Sequence, residues 1–286
     1  MMVMDIPIFI VDAFSVEPFK GNQAAVCLLE GFPQTYDDKI LQQIAFEMNL
    51  SETAFIKPLD STKSLAQTNE FNLRWFTIAT EVDLCGHATL ASAHVLFNEL
   101  GNRQQEILFH TLSGILKVSK DDNSIVMDFP VNEPEKTEAN TELGNYLGLT
   151  SDEMIEWAYE PTLANLLIEV KNEQILRDMK PDIGKLKKFS GSKKIDGIIV
   201  TSKMSNINFD FSSRYFAPWV GIDEDPVTGS SHTTLGPYWA SKLHKQSFKA
   251  LQLSKRTGEL EVTLSKNRVF IKGKACTTLK GSFKLS

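Results

Sequence analysis

The chain has few of the residues that build disulfide frameworks or metal sites. Its 286 residues include three cysteines, Cys27, Cys85 and Cys276, and none of them stands in a Cys-x-x-Cys pair. Because the cysteines are scattered and odd in number, neither a disulfide framework nor a zinc knuckle is predicted. The five histidines form no His-Glu-x-x-His or comparable spacing, so we expect no catalytic metal. This use of cysteine favours a reducing compartment, the cytoplasm.

An excess of positive charge and long apolar runs are missing as well. Asp and Glu number 36 against 30 Lys and Arg, which gives a formal net charge of -6. The broad positive field of a nucleic-acid or membrane-surface protein is therefore absent, and neither partner is expected. No apolar run approaches the roughly 20 residues that cross a bilayer. The first segment carries Asp5 and Asp12 and lacks a basic start, so it indicates a strand rather than a signal peptide.

The motifs of nucleotide-binding proteins and serine hydrolases do not occur. There is no Gly-x-Gly-x-x-Gly after a predicted strand, no Walker lysine loop and no Gly-x-Ser-x-Gly elbow. The length allows two domains of roughly 100–150 residues each. Pro130 ends a series of short predicted strands. We therefore predict an N-terminal domain over residues 1–130 and a C-terminal domain over 131–286, whose last strand could pack back on the first domain.

Periodicity places one acidic residue at a junction between two elements. Apolar residues at helical spacing predict a helix from Asp37 to Met48, with Thr35 or Asp37 as its N-cap. A strand is predicted from Ala54 to Ile56. Glu52 therefore lies where a helix gives way to a strand, a position from which side chains often face a cleft.

Two further helices are predicted on different grounds. Gly86 to Leu100 is rich in small and apolar residues that leave it little polar face, as expected of a helix surrounded by sheet. Thr150 to Trp157 also has a helical pattern. Asn165 to Val170 and Gly197 to Thr201 are continuous apolar runs, which predicts buried strands.

The second half of the chain repeats a pattern of the first. Arg74-Trp75-Phe76-Thr77 is echoed by Arg214-Tyr215-Phe216-Ala217, and a His-x-Thr-Leu tetrad follows each, at His87 and at His232. Aligning Gly86 with Gly229 instead shifts the register by two residues. The repeat predicts two similar lobes related by a pseudo-twofold axis, each offering a helix N-terminus to a shared cleft. The free N–H groups at such a terminus suit a carboxylate or a phosphate.

Four positions could carry chemistry, and each has a plainer alternative. Glu52 could be a general base or part of a turn, and His87 could relay a proton or be a packed core residue. Asp225 could be a partner acid or could form an Asx-turn ahead of proline. The segment Thr228-Gly229-Ser230-Ser231 could hold an anion or serve as an ordinary N-cap. Position alone does not decide between these alternatives.

Four segments, taken in order, resemble the PhzF-like proteins of the diaminopimelate epimerase superfamily. They are Val11-Asp12-Ala13-Phe14 with Phe19-Lys20-Gly21-Asn22, then Met48-Asn49-Leu50-Ser51-Glu52-Thr53, then Arg74-Trp75-Phe76-Thr77 with Gly86-His87, and last Glu224-Asp225-Pro226-Val227-Thr228-Gly229-Ser230. The resemblance implies an α+β fold of two pseudo-symmetric lobes. Each lobe would be a twisted, mostly antiparallel β-sheet or barrel around a central helix, usually in a homodimer.

The resemblance also implies a reaction. Glu52 would remove and return a proton on carbon of a small carboxylated substrate, without a metal or organic cofactor. His87 and Asp225 would assist the transfer, and the substrate would be held by Gly86, Thr228, Gly229 and Ser230. Because an ordinary carboxylate is a weak base, we expect burial to raise the pKa of Glu52.

The sequence leaves three hypotheses about the function open, namely the isomerase just described, an epimerase with a mixed pair of groups, and an idle homologue. The second lobe has Asp225-Pro226 where a two-thiol racemase has its second cysteine, which argues against that enzyme. An epimerase that uses Glu52 and Cys85 as a mixed pair stays possible, as does an idle homologue that acts as a binding protein or scaffold. Gln23 stands where a proline is common in the family, and Ser231-His232 where the phenazine enzyme has small apolar residues, so the substrate is left open.

Overall fold

The computed structural model describes residues 4–30 and 37–285. The chain forms two compact units, one running to Phe129 and resuming at Lys272, the other covering Pro130–Ile271. Both combine β-strands with helices, so the fold is α+β, as predicted. No helix of the described residues is long and apolar enough to span a membrane.

The strands are numbered along the chain. They are β1 Met4–Ala13, β2 Asn22–Leu28, β3 Glu52–Pro58, β4 Glu70–Phe76, β5 Glu81–Val82, β6 Glu106–Thr111, β7 Gly114–Asp121, β8 Ser124–Pro130, β9 Glu135–Lys136, β10 Met154–Glu160, β11 Asn165–Val170, β12 Gly197–Lys203, β13 Phe211–Ala217, β14 Ile222–Asp225, β15 Ser247–Gln252, β16 Gly258–Ser265, β17 Arg268–Gly273 and β18 Ala275–Leu285.

The α-helices are shorter and fewer. They are α1 Asp38–Met48, α2 Gly86–His94, α3 Thr141–Tyr146, α4 Glu173–Asp178, α5 Ile183–Lys188 and α6 His232–Leu243. A π-helical turn, Val95–Glu99, continues α2, and a 3-10 turn, Pro218–Val220, follows β13. The apolar helix predicted from Gly86 is thus α-helical only to His94. All nine residues of α2 are buried, and the helix packs against β1, β2, β3 and β18, which accounts for its lack of a polar face.

The same order of strand pairing occurs in both units. In the first, β2 and β3 are parallel, β3 and β4 antiparallel, and β4 pairs antiparallel with β5 and parallel with β6. In the second, β11 and β12 are parallel, β12 and β13 antiparallel, and β13 pairs antiparallel with β14 and parallel with β15. A helical crossover joins each parallel pair, as parallel pairing requires. The repeat in the sequence therefore corresponds to a repeat in topology.

The repeated Arg-x-Phe pattern has a physical role in each unit. Arg74 makes a bidentate ion pair with Glu81, and Arg214 makes the same pair with Glu224. Each guanidinium also lies 5.0 Å from the centre of the phenylalanine ring two residues on. Bidentate pairing and stacking on an aromatic face are specific to arginine. The two pairs tie β4 to β5 and β13 to β14, immediately ahead of the segments that lead to α2 and α6.

Two sequence predictions are settled by local contacts. Asp37 is the N-cap of α1, because its side chain accepts from the Lys39 N–H, whereas Thr35 lies outside the described residues.

The prediction of a helix over Thr150 to Trp157 is wrong, because a turn in this segment is followed by strand β10. Its residues pair with β11, and the Trp157 ring enters the core of the second unit. Pairing and burial of β-forming aromatic and β-branched residues outweigh the local helical pattern.

The turn before β2 depends on Gly21, which has φ +66°, and a Cβ there would lie 2.1 Å from the Ala13 carbonyl oxygen. We expect Gly21→Ala to lower the free energy of unfolding by about 2–4 kcal/mol, because backbone strain and a clash add together. Gly101→Ala is the matched control, with φ +65° and open space around it. It should lose only about 1–2 kcal/mol. Equal losses in urea unfolding would contradict this account.

Candidate active site

Glu52 lies at the junction between α1 and β3. The helix ends at Asn49 in the left-handed conformation, with φ 51°, and β3 begins at Glu52. The residue is paired with Ala24 of the parallel strand β2 and is 7% exposed. The predicted helix-to-strand junction is therefore present, and it delivers this carboxylate to the interior of the first unit rather than to a surface turn.

His87, the second residue of α2, lies at the centre of a buried polar cluster. Its Nε2 is 3.2 Å from Oε2 of Glu52, at ion-pair distance. Its Nδ1 is 3.1 Å from the Asn22 Nδ2 and 3.5 Å from the Cys85 Sγ. His87 is 4% exposed and Asn22 is 1% exposed. The two ring nitrogens thus face different partners, so the imidazole connects a carboxylate on one side with an amide and a thiol on the other.

Ser51 completes this cluster. Its hydroxyl lies 3.5 Å from both the Asn22 Oδ1 and the His87 Nε2, and 3.4 Å from the Gln23 carbonyl oxygen. Neither Asn22 nor Ser51 was assigned a role from the sequence, although both stand in the segments that carry the family resemblance. These two residues lie near His87 only because the starts of β2 and β3 lie beside the start of α2. The spacing of the residues along the chain does not predict this contact.

The charges of Glu52 and His87 stabilise each other. Burial acts to raise the pKa of Glu52, but the nearby His87 and the Ser51 hydrogen bond outweigh it and hold the pKa below the ordinary value. The expectation that burial would raise this pKa is therefore wrong, because the carboxylate was buried together with a cationic partner. Burial lowers the pKa of His87, yet its contacts with Cys85 and Glu52 outweigh burial and bring the pKa well above the usual value. Of these two partners, only Glu52 is charged while Cys85 is a thiol.

Cys85 is held in its thiol form. Burial, followed by the charge of Glu52, raises the pKa of its sulfur above the ordinary value. A thiolate is the nucleophilic and basic form of cysteine, so this environment makes Cys85 a poor base.

Three side chains of the cluster have donor atoms close enough together to be considered as ligands of a metal ion. One atom each of Glu52, Cys85 and His87 lies within 4.8 Å of the others. However, Cys85 and Glu52 approach opposite nitrogens of the imidazole. A single ion binds a histidine ring through one nitrogen, so it cannot replace both contacts. The arrangement suits proton transfer along the ring better than coordination of a cation.

In the second unit, Asp225 and Thr228 are fixed by a buried glutamine. The Thr228 hydroxyl donates a short hydrogen bond to the Asp225 carboxylate. Gln252, fully buried, accepts from the Thr228 N–H and donates to the Asp225 carbonyl oxygen, both at 2.8 Å. Gln252, the last residue of β15, was assigned no role from the sequence. These bonds give the Asp225–Thr228 turn a defined shape ahead of α6.

The start of α6 does not have an ordinary serine cap. Ser231 occupies the N-cap position, but its hydroxyl donates to the Thr228 carbonyl oxygen rather than accepting from the helix. Among the described residues, no hydrogen bond accepts the N–H of Gly229 or Ser230. The alternative of a plain N-cap is therefore not supported, and two backbone donors are left to bind an anion.

His232 is a packed residue. Its Nδ1 lies 2.8 Å from the Thr228 carbonyl oxygen, its ring stacks on Phe211, and burial lowers its pKa to about 4. A neutral, enclosed imidazole of this kind serves the structure rather than a proton relay.

Strand pairing decides the register of the internal repeat. Trp75 pairs with Val82 and Tyr215 pairs with Asp225. Counting on from these pairs aligns Gly86 with Gly229 and, with it, His87 with Ser230. The two His-x-Thr-Leu tetrads are therefore offset by two residues, and the glycine alignment is the structural one.

The position of Glu52 has a very different counterpart in the second unit. Thr53 pairs with Phe76 and Ile198 pairs with Phe216, so the residue equivalent to Glu52 is Gly197. A Cβ on Gly197 would lie 2.0 Å from the Tyr215 hydroxyl oxygen, which donates to Asn165. The phenol therefore occupies the space of a side chain at this position.

The architecture is shared with epimerases. A hydroxyproline epimerase from Agrobacterium vitis superposes with a TM-score of 0.62 at 11% identity, covering 98% of this chain and 93% of that one. At this identity the likeness concerns the fold alone, and it places the chain in the class of epimerase-type folds.

Within that class the family is specific. The model of the PhzC-PhzF family, described as phenazine biosynthesis-like protein, matches residues 11–281, and the chain belongs to this family. An uncharacterised isomerase of Halalkalibacterium halodurans is 46% identical over 288 residues, which cover 99% of this chain and all of that one. The crystal structure of a PhzF-family protein from Enterococcus faecalis has a TM-score of 0.88 at 39% identity, covering 99% and 100% of the two chains. The resemblance read from four segments is thus confirmed.

The role of Gln252 can be measured through stability. We expect Gln252→Leu to lower the free energy of unfolding by about 1–3 kcal/mol for each buried group that loses its partner. Gln246→Leu is the control, because this glutamine is exposed. It should change the stability by less than about 0.5 kcal/mol. If urea unfolding shows no difference between the two variants, Gln252 does not fix the turn.

Proposed function

We propose that this chain is a cofactor-independent isomerase of the PhzF type that moves a proton on carbon of a small carboxylated metabolite. Glu52 is the acid and base of the reaction. The observation that carries the proposal is the buried pair of Glu52 and His87, in which the carboxylate is kept ionised beside a histidine. The isomerase relative at 46% identity supports the same class of reaction.

The lowered pKa of Glu52 restricts the class of substrate on which the protein could act. An ionised carboxylate with a low pKa is a weak base, so it can break only a C–H bond whose electron pair is delocalised as the proton leaves. The proton moves to a Glu52 oxygen, and the same carboxyl returns it to another carbon of the substrate. We therefore expect an unsaturated or carbonyl-activated carboxylic acid. His87 stabilises Glu52 as a carboxylate at the start and end of the cycle.

Each unit also has groups that suit part of a small ligand. In the second unit, the N–H groups of Gly229 and Ser230, at the positive end of α6, suit a carboxylate. In the first unit, Gly86 is likewise the first residue of its helix, α2. We assign Asp225 and Thr228 to binding a polar group, because Gln252 holds both in a fixed orientation.

A mixed epimerase using Glu52 and Cys85 is less well supported. Inversion at one carbon needs a base on one face and an acid on the other, each about 3 Å from the carbon, and hence about 6 Å apart. The Cys85 sulfur and a Glu52 oxygen lie within 4.8 Å of each other. This spacing favours a reaction with Glu52 as the single acid and base.

Solvent exchange tests the proposal directly. The protein in heavy water should introduce deuterium into at least one member of a panel of cyclic and unsaturated carboxylic acids, as seen by proton NMR. Glu52→Gln should lower this exchange by roughly 100-fold or more, because the variant cannot take up a proton. Glu70→Gln is the matched control, since Glu70 also contacts a histidine, His110 at 3.0 Å, but on the surface.

The outcomes separate the two classes of function. Exchange that survives in Glu52→Gln would remove Glu52 from the chemistry. If a panel ligand binds equally to the wild type and to Glu52→Gln and neither exchanges it, the chain is a binding protein.

The ion pair makes a further prediction about pH. In the wild type, activity should fall only below the ordinary carboxyl range, because the pKa of Glu52 is lowered. In His87→Gln the burial of Glu52 remains but the opposing histidine is gone, so the pKa of Glu52 should rise. The acid limb of the pH-rate profile should then move to higher pH. An unmoved limb would show that the two side chains do not interact as described.

A further inference from the structure

Asn22 belongs to the buried polar cluster around His87, but the proton transfer proposed for Glu52 gives it no role. It begins β2, is 1% exposed and directs its carboxamide nitrogen at the Nδ1 of His87, 3.1 Å away. Nδ1 is the ring nitrogen that faces away from Glu52. Asn22 does not titrate, so it cannot itself carry the proton that the proposed reaction moves.

An imidazole ring needs a partner on its second nitrogen if it is to keep one orientation. The partner on Nδ1 determines which nitrogen carries hydrogen and where the other nitrogen points. A carboxamide nitrogen that donates to Nδ1 leaves the ring hydrogen on Nε2, the nitrogen 3.2 Å from the Glu52 carboxylate. Cys85, the other group near Nδ1, is a weak hydrogen-bond partner at 3.5 Å.

We propose that Asn22 is the positioning residue of the site, and that its carboxamide holds the His87 ring so that Nε2 stays at ion-pair distance from Glu52 and beside the Ser51 hydroxyl. This inference rests on the function proposed above and adds a residue to it. Asn22 does not touch the reacting carbon, and its effect passes through His87.

The backbone around Asn22 is built to keep it in place. Gly21, in a left-handed conformation, turns the chain against Ala13, which pairs with Asn22 across β1 and β2. The Ser51 hydroxyl lies 3.5 Å from both the Asn22 oxygen and the His87 Nε2. A carboxamide can offer its nitrogen to a bare Nδ1 or its oxygen to a protonated one, so it can serve both forms of the ring.

Two substitutions separate orientation from charge. Asn22→Leu keeps the size of the side chain but removes the polar partner of Nδ1. Asn22→Asp restores a partner but offers only acceptor oxygens, which favours the ring with both nitrogens protonated. Asn72→Leu is the control, because Asn72 is an exposed asparagine on β4.

The first readout is the tautomer of His87, followed by nitrogen-15 NMR of the ring with His87→Gln used for assignment. The wild type should show a neutral ring protonated on Nε2 at alkaline pH. Asn22→Leu should show a mixture of tautomers, and Asn22→Asp should raise the pH at which the ring loses its second proton. A ring with unchanged nitrogen shifts in both variants would overturn the proposal.

The second readout is deuterium exchange into a panel acid that the wild type turns over. Asn22→Leu should lower kcat by roughly 10- to 100-fold, a part of what a positioned acid or base contributes, with KM within about 2-fold. A loss of kcat without any change of tautomer would mean a structural role only and would reject the proposal. The NMR readout needs no substrate, so it decides the role of Asn22 even if no panel acid is turned over.

Discussion

The contact between Glu52 and His87 is the interaction on which the rest of the site depends. A lone carboxylate in the interior would be costly, and removing one member of a buried pair leaves the other uncompensated. The pair therefore requires that the start of β3 and the start of α2 meet within hydrogen-bond reach. The left-handed turn at Asn49 and the enclosed helix α2 both serve that meeting. Stability and the proposed proton transfer therefore require the same placement of these two residues.

The two units carry the same arginine pattern but differ in the residues at the starts of their buried helices. Arg74 and Arg214 form equivalent bidentate pairs that hold the strand before each buried helix. These pairs are part of the framework and are retained in both units. The residues that follow them have diverged: the first unit places His87 where the second places Ser230. Because these local contacts fix the strands ahead of each helix, the residues at the helix starts can differ between the units without disturbing the strands.

Much of this could be predicted from the sequence, and the failures share a cause. Helical periodicity located α1 and hence the junction at Glu52, and the small polar face of the segment from Gly86 indicated that α2 is enclosed by sheet. The sign of the Glu52 pKa shift was wrong, because it depends on His87, a residue distant along the chain. Asn22 and Gln252 were missed for the same reason, since their partners come from other elements. The helix expected up to Trp157 failed because pairing with a later strand decides that segment.

Gly197 is the position of the second unit that corresponds to Glu52. The phenol of Tyr215 fills the volume in which a second carboxylate would stand, and its hydrogen bond to Asn165 fixes it there. A single substitution at Gly197 therefore cannot add an acid, because the tyrosine would have to be replaced by a smaller residue before any side chain could be accommodated. The asymmetry between the two units is thus protected by packing, and at least two coordinated changes would be needed to remove it.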